Sequence, residues 1–293
     1  MQAVKEKANA KINLYLDVLS KREDGFHDVK TVMHSISLCD ELTVIYRPSA
    51  VTNIRVSVRG NRFLPVDERN LALKAAKLYL ECAKRCASIE IRLDKRIPVA
   101  AGLAGGSSDA AATLRAMNRL FGKTFSERAL YNMASQLGSD VPYCLYGKTA
   151  LCEGRGNLLT KLPDNLKLDI VVAVANEKVS TPLAYSRLDA DFSDFDGTRI
   201  SEGEEKYAAL LSSIECGKIS GDVLYNVFED SILPICPKAE GIKKRLCELG
   251  ATSAVMSGSG PSVFGIFEDA ESARRACDAL RLEKITAFAA KSV

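Results

Sequence analysis

The chain has 293 residues, of which 47% are hydrophobic and 26% charged, enough for a full hydrophobic core and as many as two domains. A net charge of only +3 excludes the global basic field of a nucleic-acid-binding protein, and no apolar run approaches the roughly 20 residues that cross a bilayer. The opening MQAVKEKANAKINLYL has no signal-peptide core, and nine scattered cysteines without a CxxC pair fit reduced, mostly buried thiols of a cytosolic protein, so a cytoplasmic setting is expected.

The first 60 residues read as strands. KINLYLDVL, VKTVMHSISL, ELTVIY and NIRVSV all carry apolar alternation, with turn chemistry at Glu23-Asp24-Gly25. A helix is expected over about 70–86, capped by Asn70, with Leu71, Ala75, Leu78 and Cys82 on one face. ASIEIRL alternates as a further strand. A glycine-rich stretch then leads into a helix running to Phe121 and closed by Gly122, and a capped helix follows over 126–137.

LDIVVAVAN reads as a buried strand. The polar, acidic stretch 189–205 reads as a surface loop. Beyond it the pattern is helix (about 204–215), helix (237–249), strand (253–256), strand (262–267), helix (270–281) and strand (285–289). Strands beside strands and helices beside helices indicate an α+β sandwich, with a domain boundary near residue 160. The basic clusters Asp94-Lys95-Arg96 and Lys243-Lys244-Arg245 read as solvated faces, and with only His27 and His34 present a zinc site is not expected.

The segment PVAAGLAGGSSDAA, beginning at Pro98, sets a bare and turning backbone against the start of a helix. A serine-hydrolase elbow needs G-x-S-x-G, a dinucleotide fold G-x-G-x-x-G, and a Walker loop a lysine; none is present. Two readings remain open. The unpaired amides at the helix start, with the hydroxyls of Ser107 and Ser108, would cradle a phosphate. Alternatively, the loop is simply packed tightly and Ser107 caps the helix. Asp109 would repel a phosphate, so it must point away or help hold a cation.

The same segment resembles the phosphate-binding loop of the GHMP small-molecule kinases. Three more segments resemble that family in order: KANAKINLYLDVLSKREDGFHDVKTV, LGSDVPYCLYGKTALCEGRG and GATSAVMSGSGPSVFGIF. AKINLYL followed by DGFH, the doubled glycine of AGGSSDAA, and GSDVP are closest to the branch acting on a cytidine diphosphate-linked methylerythritol in non-mevalonate isoprenoid synthesis. The resemblance spans the chain from Lys7 to Phe267 and implies a two-domain GHMP kinase fold. Its domains would be a ribosomal-protein-like α/β domain over 1–160 and a ferredoxin-like α/β sandwich over 161–293, with the active site between them.

The resemblance further implies ATP with Mg2+, the metal ligands being unknown. ATP phosphates would lie along Gly102, Leu103, Ala104, Gly105, Gly106, Ser107 and Ser108, after Pro98 and Ala100 open the loop. Asp140 matches the catalytic aspartate and Lys11 its partnering lysine, while Asn13 and Thr181 match positions that contact the diphosphate-erythritol substrate. Phe26 would stack on the cytosine and His27 would bond its edge. Phe26, where tyrosine is common, and Ala104, where glycine is usual, depart from the family pattern.

Read without the resemblance, Asp140 is a helix-terminal residue; Lys11, in an otherwise apolar strand, is either held there for a reason or faces outward at the sheet edge; and Ser257-Gly258-Ser259-Gly260-Pro261 is either a turn whose amides close over the substrate's phosphates or a tight hairpin. His34, inside an alternating strand, reads as structural. The expected partner is the small-molecule substrate, with no nucleic acid and no membrane, and the expected state is a monomer or weak homodimer. The rivals are another GHMP kinase of mevalonate or homoserine type, a non-catalytic nucleotide sensor and an RNA-associated module.

Overall fold

A computed structural model describes residues 1–177, 179–191, 197–219 and 222–293, with backbone alone for 197–201. By compactness the chain divides into two units that interleave in sequence. The first takes 1–10, 39–99 and 104–147, and the second takes 11–38, 100–103 and 148–293. A single division near residue 160 would separate 11–38 and 100–103 from the rest of their unit. The interleaving follows from strand length: β1 (Gln2–Lys21) and β2 (His27–Pro48) are hydrogen-bonded neighbours, and each contributes one end to each unit.

The first unit adds β3 (Asn53–Arg59), α1 (Leu71–Ala83), β4 (Ala87–Asp94), α2 (Gly105–Leu120), α3 (Glu127–Leu137) and α4 (Val141–Tyr146). β4 pairs antiparallel with β2 and parallel with β3, so that Val44, Ile91 and Val56 stand in register and all three are buried. Alternation points these residues at the helices, where Ala72, Ala75 and Ala76 of α1 and Ala110, Ala111 and Ala112 of α2 join the same core. Small side chains let the helices approach closely, and each fully buried Leu or Ile adds about 1.5–3 kcal/mol. Asn70 caps α1 at Ala72 N (2.9 Å) and Ser126 caps α3 at Ala129 N (3.3 Å), as expected.

The second unit adds β5 (Thr149–Gly154), β6 (Leu158–Lys161), β7 (Asp169–Val174), α5 (Thr181–Asp191), α6 (Gly197–Glu215), β8 (Tyr225–Asn226), α7 (Phe228–Ile232), α8 (Pro237–Glu248), β9 (Ser253–Met256), β10 (Ser262–Phe267), α9 (Ala270–Leu282) and β11 (Thr286–Lys291). A four-stranded sheet runs β11-β7-β10-β9, with antiparallel pairing that sets Val172 opposite Phe264 and Phe288. Its core includes Ile242 and Leu246 from α8 and Ala276 and Leu280 from α9. β5 pairs with the first half of β2, and β8 pairs with β1 through Tyr15 and Tyr225.

Four expectations change. The segments expected as separate strands, VKTVMHSISL and ELTVIY, form one continuous β2, because the intervening Asp40 is a buried ion-pair partner and not a turn residue. In the stretch expected as a loop, 189–191 end α5 and 197–205 belong to α6, while 192–196 lie outside the described residues. The nine cysteines are all free, but only Cys39, Cys152, Cys236 and Cys277 are buried, whereas Cys82, Cys86, Cys216 and Cys247 are exposed. Lys95, expected on a solvated face, is buried.

Candidate active site

α2 opens without a side-chain cap. Ala104 takes φ +54° and ψ +29°, a left-handed step that swings the chain into the helix. The first helical bond is Ser108 N–H to Ala104 O (2.9 Å), so the amides of Gly105, Gly106 and Ser107 have no acceptor within the helix. Gly105 is required by space, since a Cβ there would stand 2.9 Å from Lys95 Nζ and 3.0 Å from Ile97 Cγ2. Ser108, expected as a phosphate donor, is buried and gives its hydroxyl to Asn9 O at 2.5 Å, fastening α2 to β1. The surface left for an anion is three amides and the Ser107 side chain.

Asp109 points away from that surface. Its Oδ2 accepts from Lys95 Nζ at 2.7 Å, and the same ammonium bonds Asp40 Oδ2 at 2.5 Å. Asp40 Oδ1 also takes the backbone N–H groups of Arg96 (2.6 Å) and Ile97 (2.8 Å). One cation thus serves two buried carboxylates, and Asp109 Oδ1 is left enclosed and unpartnered. Burial pushes the Asp109 carboxyl up to about 7, with Lys95 opposing the rise and Asp40 adding to it. Asp140, in the same unit, holds the N-cap position of α4, yet its side chain makes no capping bond.

In the second unit Lys11 is buried, not outward-facing. Its Nζ donates to Asn13 Oδ1 (2.6 Å) and to Gly102 O (2.7 Å), and its N–H bonds Leu103 O (3.2 Å). Asn13 in turn donates to Thr31 Oγ1 (2.8 Å). Segment 100–103 is clasped by the turn after β9. Ser257 Oγ donates to Gly102 O (3.1 Å), Ser262 Oγ donates to Ala101 O, and a Cβ on Gly102 would meet Ser257 O at 2.0 Å. Asn226 Nδ2 fixes that turn through Met256 O (2.7 Å) and Gly258 O (2.8 Å).

The remaining substrate candidates cluster at the start of β2 and on α5. Phe26 is half exposed, with the Arg155 guanidinium 3.4 Å above its ring. His27 is nearly buried, stacks on Tyr185 (4.6 Å between centroids) and meets Asp189 Oδ1 at 2.7 Å through Nε2. Thr181 starts α5 and shares a hydrogen bond with Ser259 (3.1 Å). His34 is structural in its contacts: Thr149 and Ser292 engage its two nitrogens, and burial lowers its pKa to about 4.

Lys11, Asn13 and Gly102 therefore meet in one unit, to which His27, Phe26 and Thr181 also belong; the α2 amides and Asp140 belong to the other. Reasoning from sequence missed Asn226, Tyr185, Asp189 and Arg155. Tyr185 and Asp189 stand four apart on α5, a spacing that would have placed them on one face had the segment been read as helix.

Comparison with known proteins adds the following. Models of the GHMP kinases N terminal domain and the GHMP kinases C terminal domain match residues 70–148 and 214–285. The chain is 44% identical over 276 residues to 4-diphosphocytidyl-2-C-methyl-D-erythritol kinase of Lachnospira eligens, covering 93% of this chain and 91% of that one. It is 39% identical over 280 residues to the enzyme of that name from Macrococcus caseolyticus, covering 94% of each. A crystal structure of 4-(cytidine 5'-diphospho)-2C-methyl-D-erythritol kinase matches with a TM-score of 0.80 at 34% identity over 98% of both chains. Homoserine kinase from Cytophaga hutchinsonii, with a TM-score of 0.77 at 20% identity, covers 100% of this chain and 95% of its own and shares the fold.

Proposed function

The chain belongs to the 4-diphosphocytidyl-2-C-methyl-D-erythritol kinases of the GHMP kinase family, and from that membership we propose how its residues divide the work. It is an ATP-dependent small-molecule kinase acting on the cytidine diphosphate-linked methylerythritol of the non-mevalonate pathway. The acceptor is the 2-hydroxyl. ATP phosphates lie on the free amides of Gly105, Gly106 and Ser107, where the helix dipole favours negative charge, with Pro98, Ala100, Gly102, Leu103 and Ala104 shaping the approach and Ser108 holding the helix in place.

Asp140 takes the proton as the acceptor oxygen attacks the γ-phosphorus. The bond from that phosphorus to the β,γ-bridging oxygen breaks, and ADP leaves. The Lys11 ammonium offsets charge on the attacking oxygen. Magnesium fits as an ion carried in with the triphosphate. It would be held largely by phosphate oxygens and water, where it would neutralise charge. Asn13 and Thr181 contact the diphosphate-erythritol portion, and Phe26 and His27 take the cytosine.

The observation that carries this reading is the buried Lys11 ammonium bonded to the Gly102 carbonyl, a cation fixed on the loop segment itself. The setting is cytoplasmic, with a monomer or weak homodimer. No described helix is long and apolar enough to cross a membrane. The test is to supply ATP-Mg with the cytidylated alcohol, mevalonate and homoserine in turn and follow ADP. Release with the first alone is expected; release with either of the others in its place overturns the assignment.

A further inference from the structure

His27 is engaged from two sides by the described residues and is almost enclosed. Its Nε2 lies 2.7 Å from Asp189 Oδ1, its ring lies against Tyr185 at an interplanar angle of 26°, and its side chain is 6% exposed. Tyr185 is itself braced edge-on by Phe228. Asp189 is anchored in turn, because Lys21 Nζ donates to its Oδ2 at 2.6 Å. We propose that Asp189 is a positioning residue that fixes the tautomer of His27 and thereby makes the site prefer an amino-bearing pyrimidine to a keto-bearing one. The proposal rests on the assignment of His27 to the nucleobase edge given above.

The chemistry follows from donor and acceptor counts. An ionised carboxylate only accepts, so the Nε2 that bonds Asp189 must carry the hydrogen. Burial pulls the Asp189 carboxyl up, but the hydrogen bonds from Lys21 and His27 outweigh it and hold the group below the ordinary aspartate range. In the neutral ring the remaining nitrogen, Nδ1, is then a bare lone pair, and it has no hydrogen-bond partner among the described residues. At position 4 cytosine offers an amino donor and uracil a carbonyl acceptor. Toward Nδ1 the first is a hydrogen bond and the second is lone pair against lone pair. Without Asp189 the ring is free to move its hydrogen to Nδ1, and the distinction is lost.

Two histidines in the whole chain make the test direct. Nitrogen-15 spectra of the neutral imidazoles in the wild-type protein should show His27 protonated at Nε2, with His34 as an internal reference for folding. Asp189→Ala should give a mixed tautomer and lower the ratio of UDP to CDP dissociation constants by about tenfold, the worth of one hydrogen bond. Asp189→Glu should restore most of both. A wild-type His27 protonated at Nδ1 overturns the proposal before any variant is made. A folded Asp189→Ala protein that keeps the full preference for CDP overturns it alone, whereas a wild type that binds CDP and UDP equally overturns it together with the assignment of the cytosine site.

Discussion

Lys11 Nζ lies 2.7 Å from Gly102 O, so the ammonium is bonded to the backbone of the loop expected to meet the triphosphate. Lys11→Met should lower kcat by a factor of roughly 100 to 1,000, the range for removing one preorganised charge donor. Asp140→Asn should act similarly. If the two serve one proton transfer, the double variant should be no slower than the worse single variant. Single-turnover rates check this, and fully multiplicative losses would show that the residues act independently.

Two neighbouring serines should separate cleanly. Ser108 spends its hydroxyl on Asn9 O, so Ser108→Ala should cost about 1 kcal/mol of stability and leave KM for ATP nearly unchanged. Ser107→Ala should do the reverse, raising KM for ATP with little effect on unfolding. Denaturant titration beside ATP saturation curves distinguishes the pair.

Gly102 and Ala104 occupy the same half of Ramachandran space but not the same surroundings. A methyl group on Gly102 would stand 2.0 Å from Ser257 O at φ +74°, so Gly102→Ala should destabilise by at least about 2 kcal/mol and abolish turnover. Ala104 already bears the cost of φ +54°, so Ala104→Gly should be neutral or stabilising by up to about 1 kcal/mol. Chemical denaturation midpoints provide the measurement. A destabilised Ala104→Gly would show that its methyl group is needed for packing.

Removing the ammonium beneath α2 leaves Asp40 and Asp109 facing each other without a cation. Lys95→Met should therefore cost about 3–5 kcal/mol, and adding Asp109→Asn should recover part of it. Urea unfolding of the single and double variants tests this. Equal losses in both would show that Asp109 is not the strained partner.

Asp109 and His34 should tilt the pH–stability curve in opposite directions. Asp109, raised to about 7 by burial, holds more protons folded than unfolded between its ordinary value near 4 and about 7, so its contribution is present at acid pH and is lost as pH rises through that window. His34, lowered from 6.5 to about 4, holds fewer protons folded, so its contribution is present above about 6.5 and is lost as pH falls toward 4. Asp109→Asn should abolish the first slope and His34→Gln the second. Unfolding free energies across pH 4 to 8 would check both signs.

The repeating elements were legible because local patterns carry them: strand alternation in the first 60 residues, and the Asn70 and Ser126 caps. What escaped depends on distant partners. Asp94-Lys95-Arg96 reads as a solvated run, since nothing local shows that Lys95 meets Asp40, 55 residues away. Ser107 and Ser108 are indistinguishable in sequence; helix phase alone turns one hydroxyl into the protein. Asp189 was hidden because a short, polar helix with little amphipathic contrast resembles a loop. The motif residues pointed to the kinase chemistry through resemblance, whereas the braces around them, Asn226, Tyr185 and Asp189, became visible only in three dimensions.

The interleaved units also set a timetable for biosynthesis. Every residue of the first unit has left the ribosome once position 147 is clear, so it can mature while the chain is still growing. Residues 11–38 and 100–103 emerge early yet belong with 148–293, so the strand bearing Lys11 must wait for the second half of the chain before its unit is complete.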